Sequence, residues 1–251
     1  MGNRLYIKYE QDQGEYKSMT LPILYSLRNC PYAMRARLAI YKSKLPVELR
    51  DIVLKNKPTE MLAASPKATV PVLVLSSNIN GCEVIDESLD IMLWVLGKSD
   101  PLNLLRAATL SKPISSSDIA PPTKLADILS LIHLFDHEFK TCLEVYKCAK
   151  RYHEANLEDC RQVCEVYIQN LELRLSKHAY LLDKNESLAD LALLPFIRQF
   201  ARIERQWYLQ SPYPNVKRWL NQYLQSPMFT KVMAKYPLWS PEQTVVKFGD
   251  I

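Results

Sequence analysis

Leu21-Pro22-Ile23-Leu24-Tyr25-Ser26, then Cys30-Pro31-Tyr32-Ala33, then Arg35-Ala36-Arg37-Leu38-Ala39-Ile40 is the stretch whose reading decides the fold. The first segment is an apolar run of strand type. The last has a helical pattern, with Pro31 in the favoured first helical position. A cysteine at a helix start faces unpaired backbone N–H groups and the positive end of the helix dipole, and both favour thiolate over thiol. Ala33 occupies the position where a dithiol motif would carry its second cysteine. Any redox chemistry here is therefore that of a lone thiolate completed by an outside thiol. Taken alone, such a cysteine is as readily a small buried residue.

Outward from this segment, to about residue 97, the elements alternate. Val47-Glu48-Leu49-Arg50-Asp51-Ile52 places apolar residues at alternate positions and predicts a second strand. Residues 58–64 predict a short helix. Val70-Pro71-Val72-Leu73-Val74-Leu75 predicts a third strand, and Glu83-Val84-Ile85 its hairpin partner after a turn at Asn78-Ile79-Asn80-Gly81. A helix follows from Glu87 to about Leu96. The order is βαβ then ββα, a four-stranded mixed sheet with helices on its faces.

Between Gly97 and Pro122 lie Pro101, Pro113, Pro121 and Pro122 around Ser115-Ser116-Ser117, a connector. Beyond it the pattern is helical. Leu125, Leu129, Ile132, Phe135 and Phe139 recur at three- and four-residue steps, as do Cys164, Tyr167, Ile168, Leu171 and Leu175. Ser187-Leu188-Ala189-Asp190 opens a strongly apolar helix through Phe196 and Phe200, and shorter helices are expected at 216–224 and 228–235. The expected organisation is an N-terminal extension at 1–19, an α/β domain at 20–97, a linker at 98–122 and an all-helical domain at 123–251.

Composition narrows the class. The chain has 251 residues, 48% of them hydrophobic and 24% charged, which is ordinary globular usage. Its formal net charge of +5 comes without a Lys/Arg block of nucleic-acid type. Six cysteines in a chain this long do not make a disulfide scaffold. Cys160 and Cys164 share a helix face near His153, but buried structural thiols account for them better than a metal site, so no metal is expected. The opening residues lack a signal-peptide core and Tyr6 breaks a myristoylation pattern, so a soluble cytoplasmic protein is expected, without nucleic-acid or membrane partners.

Three features of the α/β half converge: Cys30 at a helix start, Val70-Pro71 at the head of a strand, and Asp86-Glu87-Ser88 at the start of the last helix. Proline is tolerated at a strand's first residue. A helix start offering a Ser hydroxyl and free N–H groups suits a carboxylate, and a carboxylate side chain suits an ammonium, although helix capping alone also explains the triplet. This arrangement resembles the thioredoxin-like domain of cytosolic glutathione transferases, particularly the omega-type and bacterial enzymes with a catalytic cysteine. The resemblance rests on Cys30-Pro31-Tyr32-Ala33, Leu54-Lys55-Asn56-Lys57-Pro58, Thr69-Val70-Pro71-Val72-Leu73, Asp86-Glu87-Ser88 and, in the helical half, the capping box at Ser187–Asp190.

The resemblance implies that Cys30 is a nucleophile forming a mixed disulfide with glutathione, its cosubstrate. Lys57 would reach the glycine carboxylate, Val70 would pair its backbone with the cysteinyl part beside a cis Pro71, and Glu87 and Ser88 would hold the γ-glutamyl ammonium and carboxylate. Tyr32 would line the site. The implied activity is glutathione-dependent thiol transfer or reduction on a small-molecule or mixed-disulfide acceptor, by a homodimer. The alternatives are conjugation of glutathione to electrophiles, with Tyr25 as a remote candidate activator, and a non-catalytic glutathione-binding or regulatory protein. Leu134, His137, Glu138, Tyr146, Trp207 and Trp239 are candidates to line the acceptor side. One departure stands out: Ala68-Thr69 falls where such loops often carry glycine.

Overall fold

The computed structural model describes residues 21–75, 83–107 and 123–249. The expected N-terminal extension, the turn at Asn78-Ile79-Asn80-Gly81 and connector residues 108–122 lie outside the described residues. In the α/β half, β1 (Ile23–Ser26), α1 (Pro31–Ser43), β2 (Val47–Asp51), α2 (Thr59–Ala64), β3 (Val72–Leu75), β4 (Glu83–Ile85) and α3 (Ser88–Lys98) follow the predicted order. β1 pairs parallel with β2 (Leu24 opposite Leu49) and antiparallel with β3 (Leu24 opposite Leu73), and β3 pairs antiparallel with β4.

The alternation expected of half-buried strands assigns the two faces of the sheet. Leu24, Leu49 and Leu73 belong to the large core shared with α1, α3 and the helical half. Tyr25, Val72 and Val74 face the other way, into a smaller cluster with Ala33, Ile52, Met61 and Val70.

The predicted mixed sheet and the helical half are both present, with one addition. The sheet has five strands in the order β4-β3-β1-β2-β5, and the fifth comes from the far end of the chain. β5 (Lys247–Phe248) pairs antiparallel with β2, and Leu49 N–H donates to the Val246 carbonyl at 2.8 Å. With four strands β2 would be an open edge, and the C-terminal segment covers it.

The helical half comprises α4 (Leu125–Leu134), α5 (Lys140–Tyr152), α6 (Leu157–Leu175), α7 (Leu188–Ile203), α8 (Arg205–Gln210), α9 (Pro214–Leu224) and α10 (Pro227–Val232). Of the first predicted stripe, Ile132, Phe135 and Phe139 are buried, while Leu125 is exposed and Leu129 half-buried, and α4 buries Ile128 and Leu131 instead. The helix passes into a π-helical turn, Phe135–Phe139, where Lys140 N–H reaches back to the Phe135 carbonyl. The wider turn keeps both Phe135 and Phe139 buried. On α6, Cys164, Ile168, Leu171 and Leu175 are buried as their spacing predicts. Ser187 caps α7, and its N–H and Oγ both donate to Asp190 Oδ2 at 2.9 Å.

Candidate active site

Cys30 follows a tight turn in which its N–H donates to the Leu27 carbonyl at 3.0 Å, and its own carbonyl accepts the first helical bond, from Met34 N–H, at 2.9 Å. It is the N-cap of α1, with extended backbone (φ −76°, ψ 126°) and Pro31 next in line. A buried ionic network fixes this turn. Arg37 on α1 donates to Ser26 Oγ at the end of β1, to Asp51 at the end of β2, and to the Val232 carbonyl on α10. Burial pushes the Arg37 guanidinium down and the Asp51 carboxyl up, each against the pull of the other. Such a pair survives because each partner would otherwise be an uncompensated buried charge.

Across from the turn, the Val70–Pro71 peptide is cis. Cys30 Sγ lies 3.8 Å from the Val70 carbonyl oxygen, in position to donate its thiol proton. Cys30 and Val70 meet in the small cluster on the sheet face away from the main core.

Asp86, Glu87 and Ser88 stand at the start of α3, with Glu87 as N-cap. Lys67 joins them, its Nζ lying 2.8 Å from Glu87 Oε1 and 2.9 Å from Asp86 Oδ1, while Ser65 Oγ donates to Asp86 Oδ2 at 2.8 Å. Hydrogen bonds to Glu87 and Asp86 raise the Lys67 ammonium above its ordinary pKa, and Lys67, aided by Ser65, pulls the Asp86 carboxyl below the usual carboxylate range. Ser88 is buried and Glu87 exposed. The sequence reading missed Lys67, because nothing in its spacing ties it to carboxylates some twenty residues on. Lys57 is half-buried on the segment between β2 and α2, after a tight turn in which Asn56 N–H donates to the Val53 carbonyl.

The helical half closes on the same turn. The Tyr32 ring meets Phe196 of α7 edge-on at 5.4 Å, and Lys140 Nζ lies 5.3 Å from the Tyr32 ring centre. Arg35 is fully enclosed, donating to the Ala192 carbonyl at 2.7 Å and through both terminal nitrogens to Asp136, at 3.0 and 2.6 Å. Phe196 and Lys140 thus stand beside the cysteine turn, and neither was among the expected lining residues.

Those expected residues divide. Tyr146 is in the core, its hydroxyl on Glu204, and Trp207 lies under Arg161. Glu138 accepts from the Tyr167 hydroxyl, and exposed His137 stacks on His133. Leu134 is a half-buried partner of the main core. Trp239 packs against Tyr25 and under Arg50, beyond the sheet's β2 end. The Tyr25 hydroxyl accepts a hydrogen bond from Arg50 at 2.8 Å, and burial raises its pKa despite Arg50.

The family model for the glutathione S-transferase N-terminal domain matches residues 24–101, and that for the C-terminal domain matches residues 134–227. The chain belongs to the glutathione S-transferase family. Among individual relatives, this glutathione S-transferase chain is 34% identical to glutathione S-transferase omega-2 of Rattus norvegicus over 70 residues, 26% of this chain and 28% of that protein. It is 34% identical over 88 residues to pyrimidodiazepine synthase of Drosophila melanogaster, 32% of this chain and 35% of that one. The matches thus span about a third or less of those relatives' lengths. A solved glutathione transferase family member from Pseudomonas fluorescens pf-5, with two glutathione bound, superposes with a TM-score of 0.68 at 16% identity, covering 85% of this chain and 92% of that one. At that identity the likeness is one of fold.

Proposed function

We propose that this glutathione S-transferase family member is a glutathione-dependent thiol transferase in which Cys30 is the nucleophile. The observation that carries the reading is the position of Cys30 at the N-cap of α1, beside the backbone at Val70 that leads through cis Pro71 into β3. A thiolate there has the helix dipole on one side and a backbone edge able to hold an extended peptide on the other. The relative with two bound glutathione molecules and the omega-type relatives support the choice of ligand and chemistry.

In this reading Cys30 attacks the glutathionyl sulfur of a mixed disulfide. The S–S bond breaks, the acceptor leaves as thiolate and takes up a proton, and Cys30 carries the glutathionyl group. The thiolate of a second glutathione attacks that same sulfur, releasing glutathione disulfide and restoring Cys30. Ala33 leaves no cysteine at the dithiol position, which is why the second thiol comes from outside. Glutathione carries two carboxylates and one ammonium. Lys57 serves the glycine carboxylate, Ser88 and the N-terminal turn of α3 the γ-glutamyl carboxylate, and Glu87 the ammonium, while Val70 aligns the cysteinyl backbone and Tyr32 bounds the site. Lys67 already engages Glu87, so an arriving ammonium shares or displaces it. A homodimer working in the cytoplasm is part of the same reading. Among the described residues, no helix is long and apolar enough to cross a membrane.

The test is glutathione-dependent reduction of a small glutathionyl mixed disulfide by wild type and Cys30→Ser. Turnover in wild type with near-complete loss in the variant is expected. Equal turnover in both sinks Cys30 as nucleophile, and no turnover in either moves the non-catalytic binding reading ahead.

A further inference from the structure

Away from Cys30, α5 carries Cys142 and the exposed Cys148, and α6 carries Cys160 and Cys164. The two helices form an antiparallel hairpin about the turn after Tyr152, and they pack along their length. Cys142 on α5 and Cys164 on α6 lie at nearly equal distances from that turn, and the hairpin brings them together. The register is fixed one turn away, where Phe139 packs against Tyr167 with ring centres 5.8 Å apart, and Cys142 and Cys164 each stand three residues further toward the hairpin turn. Cys142 Sγ is 3.0 Å from the Phe139 carbonyl oxygen at the end of the π-helical turn.

Access differs between the two. Cys142 is half-buried and lines a cleft of about 500 Å³ with Val145, Cys160 and Val163, whereas Cys164 is fully enclosed beneath it. Among the described residues no group of three or more His, Cys, Asp or Glu side chains is arranged to hold a metal ion. The pair therefore presents one thiol to solvent-borne reagents and keeps the other in reserve.

We propose that Cys142 and Cys164 form a reversible disulfide that fastens α5 to α6, made and unmade by exchange with glutathione disulfide and glutathione. Cys142, as thiolate, attacks one sulfur of glutathione disulfide. The S–S bond breaks and one glutathione leaves as thiolate, which takes up the proton lost by Cys142. Cys164 then gives up its proton and attacks the Cys142 sulfur of the mixed disulfide, displacing the second glutathione. Two protein thiols and one glutathione disulfide become one protein disulfide and two glutathiones. The neighbouring Cys164 thiol lowers the Cys142 pKa, and the Cys142 thiol together with burial raises that of Cys164, in keeping with an attacking and a resolving thiol. The proposal does not depend on Cys30.

The experiment treats the full chain, and separately its Cys30→Ser variant, with glutathione disulfide. Free thiols are then alkylated and peptides mapped by mass spectrometry. The expected product in both has lost two hydrogens, with the Cys142 peptide linked to the Cys164 peptide. Cys164→Ala should instead accumulate a glutathionyl group on Cys142. The oxidised protein should unfold several degrees higher than the reduced one, and dithiothreitol should reverse the shift. A bond from Cys142 to Cys160, a stable glutathionyl adduct on Cys142 with Cys164 intact, or no reaction at Cys142 overturns the pair. A mapped disulfide without a thermal shift overturns the fastening.

Discussion

Ala68 sits at φ 55°, in the left-handed region that favours glycine, two residues before the cis peptide of the candidate site. The sequence flagged this spot for lacking glycine, and the chain keeps the turn while accepting an unfavourable side chain. Left-handed backbone costs an L-residue about 1–2 kcal/mol, and glycine's extra freedom when unfolded returns part of that. Ala68→Gly should therefore raise stability by about 0.5–1 kcal/mol in urea unfolding. A loss instead would mean that the Ala68 methyl packs usefully. At the neighbouring carboxylates, Glu87→Gln removes a charged partner from the proposed ligand ammonium, a bond worth about 1.5–3 kcal/mol. Calorimetric titration should show glutathione binding weakened about tenfold or more, and unchanged affinity would remove Glu87 from the binding set. Cys30, Val70, Pro71, Glu87 and Ser88 could be singled out in the sequence because each lies at the start of a helix or strand, where chemistry is local. Lys67 could not, since its role depends on a turn that brings it to a distant helix start.

The capping box of α7 makes a prediction at the scale of an element. Asp190 is fully buried and accepts from Leu181 N–H, Ser187 N–H, Ser187 Oγ and Trp219 Nε1. Burial outweighs those donors and pushes its pKa up to about 6, from an ordinary 3.8. A group that binds its proton more tightly when folded gives its full contribution below about pH 4 and loses it as pH rises through about 6. The shift of about two units corresponds to roughly 3 kcal/mol across that window. The stability of wild type relative to Asp190→Asn should thus decline between pH 4 and 6 and level off above. A difference that grows with pH would show a carboxylate ionised throughout. β5 supplies the contrasting case. Gly249 has φ +108°, and a Cβ there would meet the Leu45 carbonyl oxygen at 2.3 Å. Gly249→Ala should unseat the strand and expose the β2 edge, seen as faster amide exchange at Leu49, whose N–H bonds to Val246. Protection at Leu49 equal to wild type would show β5 holding without this close approach. Capping box and amphipathic stripes were legible because their signals repeat within a few residues. The two residues of β5 carry no periodicity, and their partner strand lies some two hundred residues earlier.

Across the whole molecule, one helix is covered on nearly every side and ties the two halves together, as β5 does at the edge of the sheet. α1 packs against α3, α7 and α10 as well as the sheet, and the main core runs through both halves without a break. Sequence pattern could place Arg35 and Arg37 in a helix, but not show that both would be enclosed, because their partners Asp136, Ala192 and Val232 come from the other half. Arg35 is the sharper probe. It bridges the α/β half to the π-helical turn and α7, and its guanidinium lies 4.5 Å from the ring centre of Phe196, which packs on Tyr32. Arg35→Leu leaves Asp136 without its cation and the Ala192 carbonyl without its donor, at a cost of about 3–5 kcal/mol for a broken buried pair. Arg35→Leu with Asp136→Leu removes the stranded charge, so the double variant should lose clearly less than the sum of the two singles. Because the core is continuous, each variant should still unfold in one cooperative transition, with fluorescence and circular dichroism melting together. Strictly additive losses would show that Arg35 and Asp136 do not stabilise each other across the two halves. Separate transitions in the Arg35 variant would instead make this ion pair the tie that lets them fold as one.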